Sequence, residues 1–246
     1  MFNLSVIIPI YNEKNIVDSV VTLHDYLSQL KEINSFQIVL VNDGSTDDSL
    51  VKCKKLINSF TRITLVTYDK NCGKGYAFNQ GVRNSTEDLI LFMDADLSVS
   101  LNEIPKFLES SRNYDVVIAS RNVKDSKVSY GNRARRLLHS LSSRFISTFT
   151  NLPLTDSQCG FKLFRKDVVK RFINLQEIYR FAFDVELLRF VLLNGYSIKE
   201  IGVEWNSKSN SSVKPLKDSF RFLVDLFKIK TYEKTRREGV LLEKRF

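Results

Sequence analysis

Residues 88–97 read DLILFMDADL, and no other stretch restricts the possible folds of this chain so tightly. Leu89 to Met93 is an unbroken apolar run of strand length. Such a run suits a strand covered on both faces, as in a parallel sheet flanked by helices. Two carboxylates follow it, Asp94 and Asp96, one residue apart. Side chains alternate along extended backbone, so acids at this spacing share one side as the chain leaves the sheet. In an open α/β sheet, ligands bind at that carboxyl-end exit. Paired carboxylates there suit a hard divalent cation, and Mg²⁺ is commonly shared between one or two carboxylates and substrate phosphates. The alternative is an acidic turn with solvated aspartates. The surrounding chain decides between them.

Strand patterns at 4–10, 36–41, 63–67, 89–93 and 116–119 are interleaved with helical patterns at 15–30, 47–60, 73–84 and 102–112. The first helix places Ile16, Val20, Leu23, Leu27 and Leu30 near one face. Asn42-Asp43-Gly44-Ser45 is a turn signature, and Asp47 or Ser45 can cap the helix after it. This alternation predicts an α/β fold, a mostly parallel sheet with helices on both faces. No repeat or Pro/Gly-rich linker interrupts it. The expected organisation is one main domain over 1–205 and a C-terminal extension of basic amphipathic helix over 206–246.

The formal net charge of +9 is unevenly spread. Residues 121–150 hold seven Lys/Arg against one acid, and 206–246 hold eleven against five, so each segment carries +6. Two basic segments on a slightly acidic body imply an anionic partner, either nucleic acid or anionic lipid. No nucleic-acid motif and few stacking aromatics accompany them, so nucleic acid is not the expected partner. Cys53, Cys72 and Cys159 are widely spaced with no CxxC pair, which suits a reduced, cytosolic setting. No basic segment precedes the first apolar run, and no run approaches the roughly 18–20 apolar residues of a membrane span. The expectation is a protein that lies on a bilayer rather than crossing it.

Three turns at the predicted carboxyl edge carry plausible chemistry. Pro9 to Glu13 follows the first strand, where Tyr11 can stack on a base and Glu13 can accept from a ribose or base. Asp43 follows the second, where a carboxylate can hold a ribose hydroxyl or base N–H. Asp94 and Asp96 follow the fourth. Together they describe a nucleotide laid across the strand ends with its phosphates on a metal. Lys74, between two glycines at a helix start, can approach a phosphate. The dinucleotide fingerprint G-x-G-x-x-G is absent after the first strand, which argues against a dehydrogenase.

The segments VIIPIYNE, VNDGSTD, NCGKGYAFNQGV and LFMDADLS resemble the nucleotide-binding half of family 2 glycosyltransferases, the inverting type with the GT-A fold. ASR at 119–121, DSQCGFKLF at 156–164, FAFDVELL at 181–188 and VEWN at 203–206 resemble the dolichyl-phosphate glucosyltransferase branch, with the mannose synthases as near relatives. The resemblance implies a nucleoside diphosphate sugar donor, UDP-glucose first, and a polyprenyl phosphate acceptor at the cytoplasmic face of a membrane. It assigns the nucleoside to Pro9, Tyr11, Glu13, Val41 and Asp43, a donor contact to Ala95, and Mg²⁺ or Mn²⁺ with the diphosphate to Asp94 and Asp96. Ser98 stands where mannose synthases often carry a metal-binding Gln, and Lys208 or Lys214 stands in for a basic Ser-Lys signature.

A phosphate acceptor is already anionic, so it needs relief from charge repulsion more than a general base. Arginine suits that role. Arg121 of the Ser-Arg motif is the first candidate, and Arg136 is preferred among Arg133, Arg135 and Arg136. In relatives with sugar acceptors, a carboxylate near Asp184 and Glu186 acts as general base. Here Asp184 would orient the site or a basic partner, or simply favour a helix N-terminus. In 133–149, Leu137, Leu138, Leu141, Phe145, Ile146 and Phe149 share a helical face flanked by Arg133, Arg136 and Arg144. In 218–229, Phe220, Leu223, Val224 and Phe227 do likewise near Lys217, Arg221 and Lys228. Basic amphipathic helices of this kind read as interfacial, unless those faces pack on the sheet. A GDP-mannose donor, a sugar or polysaccharide acceptor, and a non-catalytic anion-binding module on a membrane surface remain the competing readings.

Overall fold

The computed structural model describes residues 1–130, 133–207 and 220–230, with the side chains of 133–135 excepted. Lys208, Lys214, Lys217 and the side chains of Arg133 and Arg135 therefore lie outside the described residues. The strands are β1 (Phe2–Ile10), β2 (Ile33–Asp43), β3 (Ile63–Tyr68), β4 (Leu89–Met93), β5 (Val116–Ser120), β6 (Lys127–Ser129), β7 (Phe161–Arg165), β8 (Ile198–Gly202) and β9 (Glu204–Asn206). The helices are α1 (Ile16–Gln29), α2 (Ser49–Ser59), α3 (Lys74–Arg83), α4 (Ile104–Ser110), α5 (Arg133–Thr150), α6 (Lys166–Ile173) and α7 (Phe183–Leu193), with α8 over 220–230.

Seven strands form one sheet in the order β3-β2-β1-β4-β7-β5-β8, and β6 pairs with β9 apart from it. The expected βα alternation is present, with boundaries shifted by no more than three residues. One strand departs from it: β7 runs antiparallel to both of its neighbours, β4 and β5. The chain lays β2 and β3 on one side of β1, then returns to place β4 on the other, parallel to it. That reversal of strand order opens a crevice beyond the carboxyl ends of β1 and β4.

The sheet divides the core because strand side chains alternate. Leu4, Val6, Ile8 and Ile10 of β1 pack with Ile16, Val20, Leu23 and Leu27 of α1, while Ile7 enters the opposite half with Ala77, Phe78 and Val82 of α3. In β4, Leu91 and Met93 face the first half, and Ile90 and Phe92 face the second. Each such fully buried side chain contributes about 1.5–3 kcal/mol, so the strand carrying the acids is firmly fixed.

Helices α5 and α8 are two-faced. Ile146, Leu226 and Ile229 are buried in the second core half. Leu137, Leu138, Leu141 and Phe145 of α5 are exposed, as are Phe220, Leu223, Val224 and Phe227 of α8. The expected apolar face of α5 is thus split, since Ile146 turns inward and Phe149 is only partly buried. The two helices meet where the Phe149 ring packs edge-on against Phe227, with centroids 4.9 Å apart. Among the described residues, no helix is long and apolar enough to cross a membrane.

Candidate active site

The turns after β1 and β2 are laced together. Asn12, with φ +55°, takes the left-handed turn that brings its side chain onto the next loop. Its Oδ1 accepts from the Thr46 N–H at 2.8 Å, and its own N–H donates to Ser45 Oγ at 3.1 Å. The Glu13 N–H donates to Ser49 Oγ at 2.8 Å. Tyr11 is left 40 % exposed at the crevice, the state a stacking ring requires. Pro9 and Glu13 are partly buried beside it. Val41 and Ala95 have buried side chains within the core, so only their main chain can reach a ligand.

Asp43 is almost completely buried. Its Oδ1 accepts from the Cys72 N–H at 2.7 Å and its Oδ2 from the Gly73 N–H at 2.9 Å. Burial raises its pKa and outweighs those two bonds. The Tyr68 hydroxyl is buried beside it, and burial together with the adjacent carboxylate pushes its phenol far above the usual value. Arg180, which sequence reasoning missed, is close enough to favour the Asp43 anion. Gly73 makes this packing possible: at φ +106° it has no Cβ, which would lie 2.5 Å from the Tyr179 carbonyl oxygen and 2.9 Å from Arg180 Cγ. The Tyr179 carbonyl also accepts from the Tyr76 N–H. The Cys72 and Gly73 amides are therefore spent on Asp43, and the Tyr76 amide on Tyr179.

Lys74 itself points at the acids. Its Nζ lies 2.6 Å from Asp94 Oδ1, and 5.4 Å from the centre of the Phe92 ring. Burial alone would lower its pKa, but Asp94 and Asp184 outweigh that and hold it above the usual lysine value. Asp96 is oriented by Ser98, whose N–H donates to Oδ1 at 2.9 Å and whose Oγ donates to Oδ2 at 2.6 Å. Leu97, between them, sits at φ +52°, a conformation that costs a bulky residue energy and turns Ser98 back onto Asp96. Gly160 cradles Asp94: a Cβ there would stand 2.0 Å from Asp94 Oδ2. Among the described residues no group of three or more Asp, Glu, His or Cys assembles here. Two oriented carboxylates with a cation already against one of them fit a hard divalent ion completed by phosphate oxygens.

Two expected catalytic side chains prove to be held by partners. Asp184 at the start of α7 accepts from Lys162 Nζ at 2.7 Å, and that lysine, fully buried on β7, also donates to the Cys159 carbonyl. Arg121, leaving β5, grips the wholly buried Asp156 with Nε at 2.7 Å and Nη2 at 2.9 Å. That guanidinium holds the Asp156 carboxyl far below the usual carboxylate range against the effect of burial. The remaining N–H groups of Arg121 are chemically available, since a guanidinium carries five. Arg121 also lines a cavity of about 640 Å³, with Lys124, Tyr130, Arg136, Ser143 and Arg144. Trp205 joins the two regions, lying under the Arg121 guanidinium and lining the small pocket at Asp94. Gly160, Lys162 and Asp156 were not singled out from the sequence, although all three lie in the DSQCGFKLF segment. Its only local signal is a lysine inside the apolar run of Phe161 to Phe164.

The sequence model of glycosyl transferase family 2 matches residues 5–173. The chain is a family 2 glycosyltransferase. It is 30 % identical over 241 residues to a dolichyl-phosphate beta-glucosyltransferase of Trichomonas vaginalis, covering 93 % of this chain and 73 % of that protein. It is 30 % identical over 258 residues to one of Dictyostelium discoideum, covering 93 % and 77 %. The fold matches that of Mycobacterium tuberculosis glucosyl-3-phosphoglycerate synthase, solved with Mn²⁺, UDP and glucosyl-3-phosphoglycerate, with a TM-score of 0.67 and 15 % identity over 93 % of this chain and 80 % of the other. The architecture is thus GT-A.

Proposed function

We propose that this glycosyltransferase moves glucose from UDP-glucose to a polyprenyl phosphate of the dolichyl type, with inversion, while lying on the cytoplasmic face of a membrane. One observation carries the acceptor side. Helix α5 lines the basic cavity with Arg136, Ser140, Ser143 and Arg144, and presents Leu137, Leu138, Leu141 and Phe145 to the outside. A phosphate on a long apolar tail is a ligand that both faces suit at once. The exposed phenylalanines and leucines of α5 and α8, flanked by arginine and lysine, fit the boundary of an anionic leaflet. The names of the relatives support the same acceptor.

The donor reading rests on Tyr11 as the stacking ring, Asp43 as the carboxylate on the nucleoside side, and the acids as the diphosphate end. Asp94 and Asp96 would hold Mg²⁺ or Mn²⁺, which when bound supplies positive charge against the departing diphosphate. The acceptor phosphate oxygen attacks C1 of the sugar, the bond from C1 to the diphosphate breaks, and UDP leaves with that electron pair. No proton has to be removed from the attacking oxygen. The burial of Asp184 against Lys162 supports this, because a general base for a sugar hydroxyl must reach the acceptor.

The test offers labelled UDP-glucose and GDP-mannose to the purified protein with Mn²⁺ and a short polyprenyl phosphate. Label passing from UDP-glucose into the organic phase, and lost on chelation, is expected. Label from GDP-mannose instead would make it a mannose synthase. UDP release without lipid label would indicate a sugar acceptor, and no release from either donor would leave only the anion-binding reading.

A further inference from the structure

We propose that Lys74 is the resident counter-cation of Asp94, and that a divalent metal displaces it only when a nucleoside diphosphate arrives to take up the lysine. This rests on the metal-dependent reading above and adds an order of events to it. The Lys74 ammonium stands 2.6 Å from Asp94 Oδ1, where it neutralises one of the two carboxylates. The lysine is fixed at its base as the first residue of α3, and its ammonium lies near the Phe92 ring. Asp94 is fixed from the other side by the Gly160 backbone, whose carbonyl accepts from the Asp94 N–H at 3.1 Å. Neither partner has to move for the pair to persist.

The trio Asp94, Asp96 and Lys74 carries a net charge of −1, and no other carboxylate, histidine or cysteine joins the acids into a metal-binding cluster among the described residues. A divalent ion approaching the nucleotide-free protein therefore meets one net negative charge and a nearby ammonium. A nucleoside diphosphate changes both conditions. It brings at least two negative charges to the ion, and its phosphate oxygens accept from the three N–H donors of the lysine. Metal and donor then bind as one cooperative unit, and in their absence the acid pair stays neutralised and in place. The reciprocity of linkage requires that the metal tighten the nucleotide by the same factor as the nucleotide tightens the metal.

The experiment titrates Mn²⁺ into the wild type and Lys74→Met, with and without saturating UDP, and counts free ion by its paramagnetic resonance signal. In the wild type, UDP should tighten Mn²⁺ at least about tenfold; even in bulk water, a divalent ion about 4 Å from an ammonium is repelled by more than that factor requires. In Lys74→Met, Mn²⁺ without UDP should bind at least about tenfold tighter than in the wild type, and the further gain from UDP should shrink. Lys74→Arg, which keeps the charge, should retain the wild-type pattern. Wild-type affinity for Mn²⁺ that UDP leaves unchanged would overturn the inference without recourse to any variant. Equal nucleotide-free affinity in wild type and a folded Lys74→Met, each still tightened by UDP, would overturn it while leaving the metal-dependent reading intact. Mn²⁺ bound by neither protein under any condition would overturn both.

Discussion

Gly160→Ala separates the geometry of the acids from the stability of the fold. The glycine is not in the left-handed region, so its backbone accepts a Cβ without strain. The Cβ nevertheless lands 2.0 Å from Asp94 Oδ2 and 2.5 Å from its Cγ. Restoring an ordinary contact of about 3.5 Å means moving that carboxylate by roughly 1.5 Å. The Asp94 side chain is short and 40 % exposed, so it can swing outward rather than unfold its surroundings. The swing breaks its contact with Lys74. Misplacement by about 1 Å can cost on the order of 100-fold in rate, or about 2.7 kcal/mol of transition-state stabilisation. Stability should scarcely change: fewer unfolded conformations favour alanine by about 0.4–1 kcal/mol, and a half-exposed ion pair contributes no more than about 1 kcal/mol. The assay is sugar transfer with Mn²⁺, read beside a thermal melt of the same preparation. Turnover within threefold of wild type would refute the reasoning, because Asp94 would then work equally well from a displaced position.

Other consequences follow from the pairs around the site. Lys162→Met leaves Asp184 buried without its cation and should cost about 3–5 kcal/mol in urea unfolding, whereas the double change with Asp184→Leu should recover most of it. Asp156 has a folded pKa well below its unfolded value near 3.9, so its stabilisation is complete above about pH 4 and is lost progressively as the pH falls toward the folded value. Melts of wild type and Asp156→Asn should therefore stay apart from neutral pH down to about pH 4 and converge below it. Leu138→Glu and Phe220→Glu lie on exposed positions and should shift stability by no more than about 0.5 kcal/mol while lowering co-sedimentation with anionic liposomes. Unchanged sedimentation would remove the membrane from the account.

Much of the half from β1 to β4 was legible in the sequence because its signals are local. The run of Leu89 to Met93 fixes a doubly covered strand, and the turn residues after β1, β2 and β4 then have only one edge to occupy. Side-chain partners were not legible, because they come from afar: Gly160 lies 66 residues from Asp94 in the chain, and Lys162 pairs with Asp184 across 22. Strand β7 itself, and with it the antiparallel direction, escaped for a related reason. Its buried lysine interrupts the apolar run, and nothing in the pattern of five residues records whether a strand runs up or down. Amphipathicity identified α5 and α8 but not which way each apolar residue turns. A helix with apolar residues over more than half its circumference has both a core-facing and an outward-facing side, and only packing decides that Ile146 goes in and Phe145 stays out.

The central claim, that the crevice beyond β1, β2 and β4 receives a nucleoside diphosphate sugar, is tested most directly by a crystal structure of the protein with Mn²⁺ and UDP. The account requires the base beside Tyr11 and Asp43, the diphosphate and ion at Asp94 and Asp96, and the Lys74 ammonium on a phosphate oxygen. UDP bound elsewhere, or bound there with Asp94 still paired to Lys74 and no metal between acids and phosphate, would contradict it.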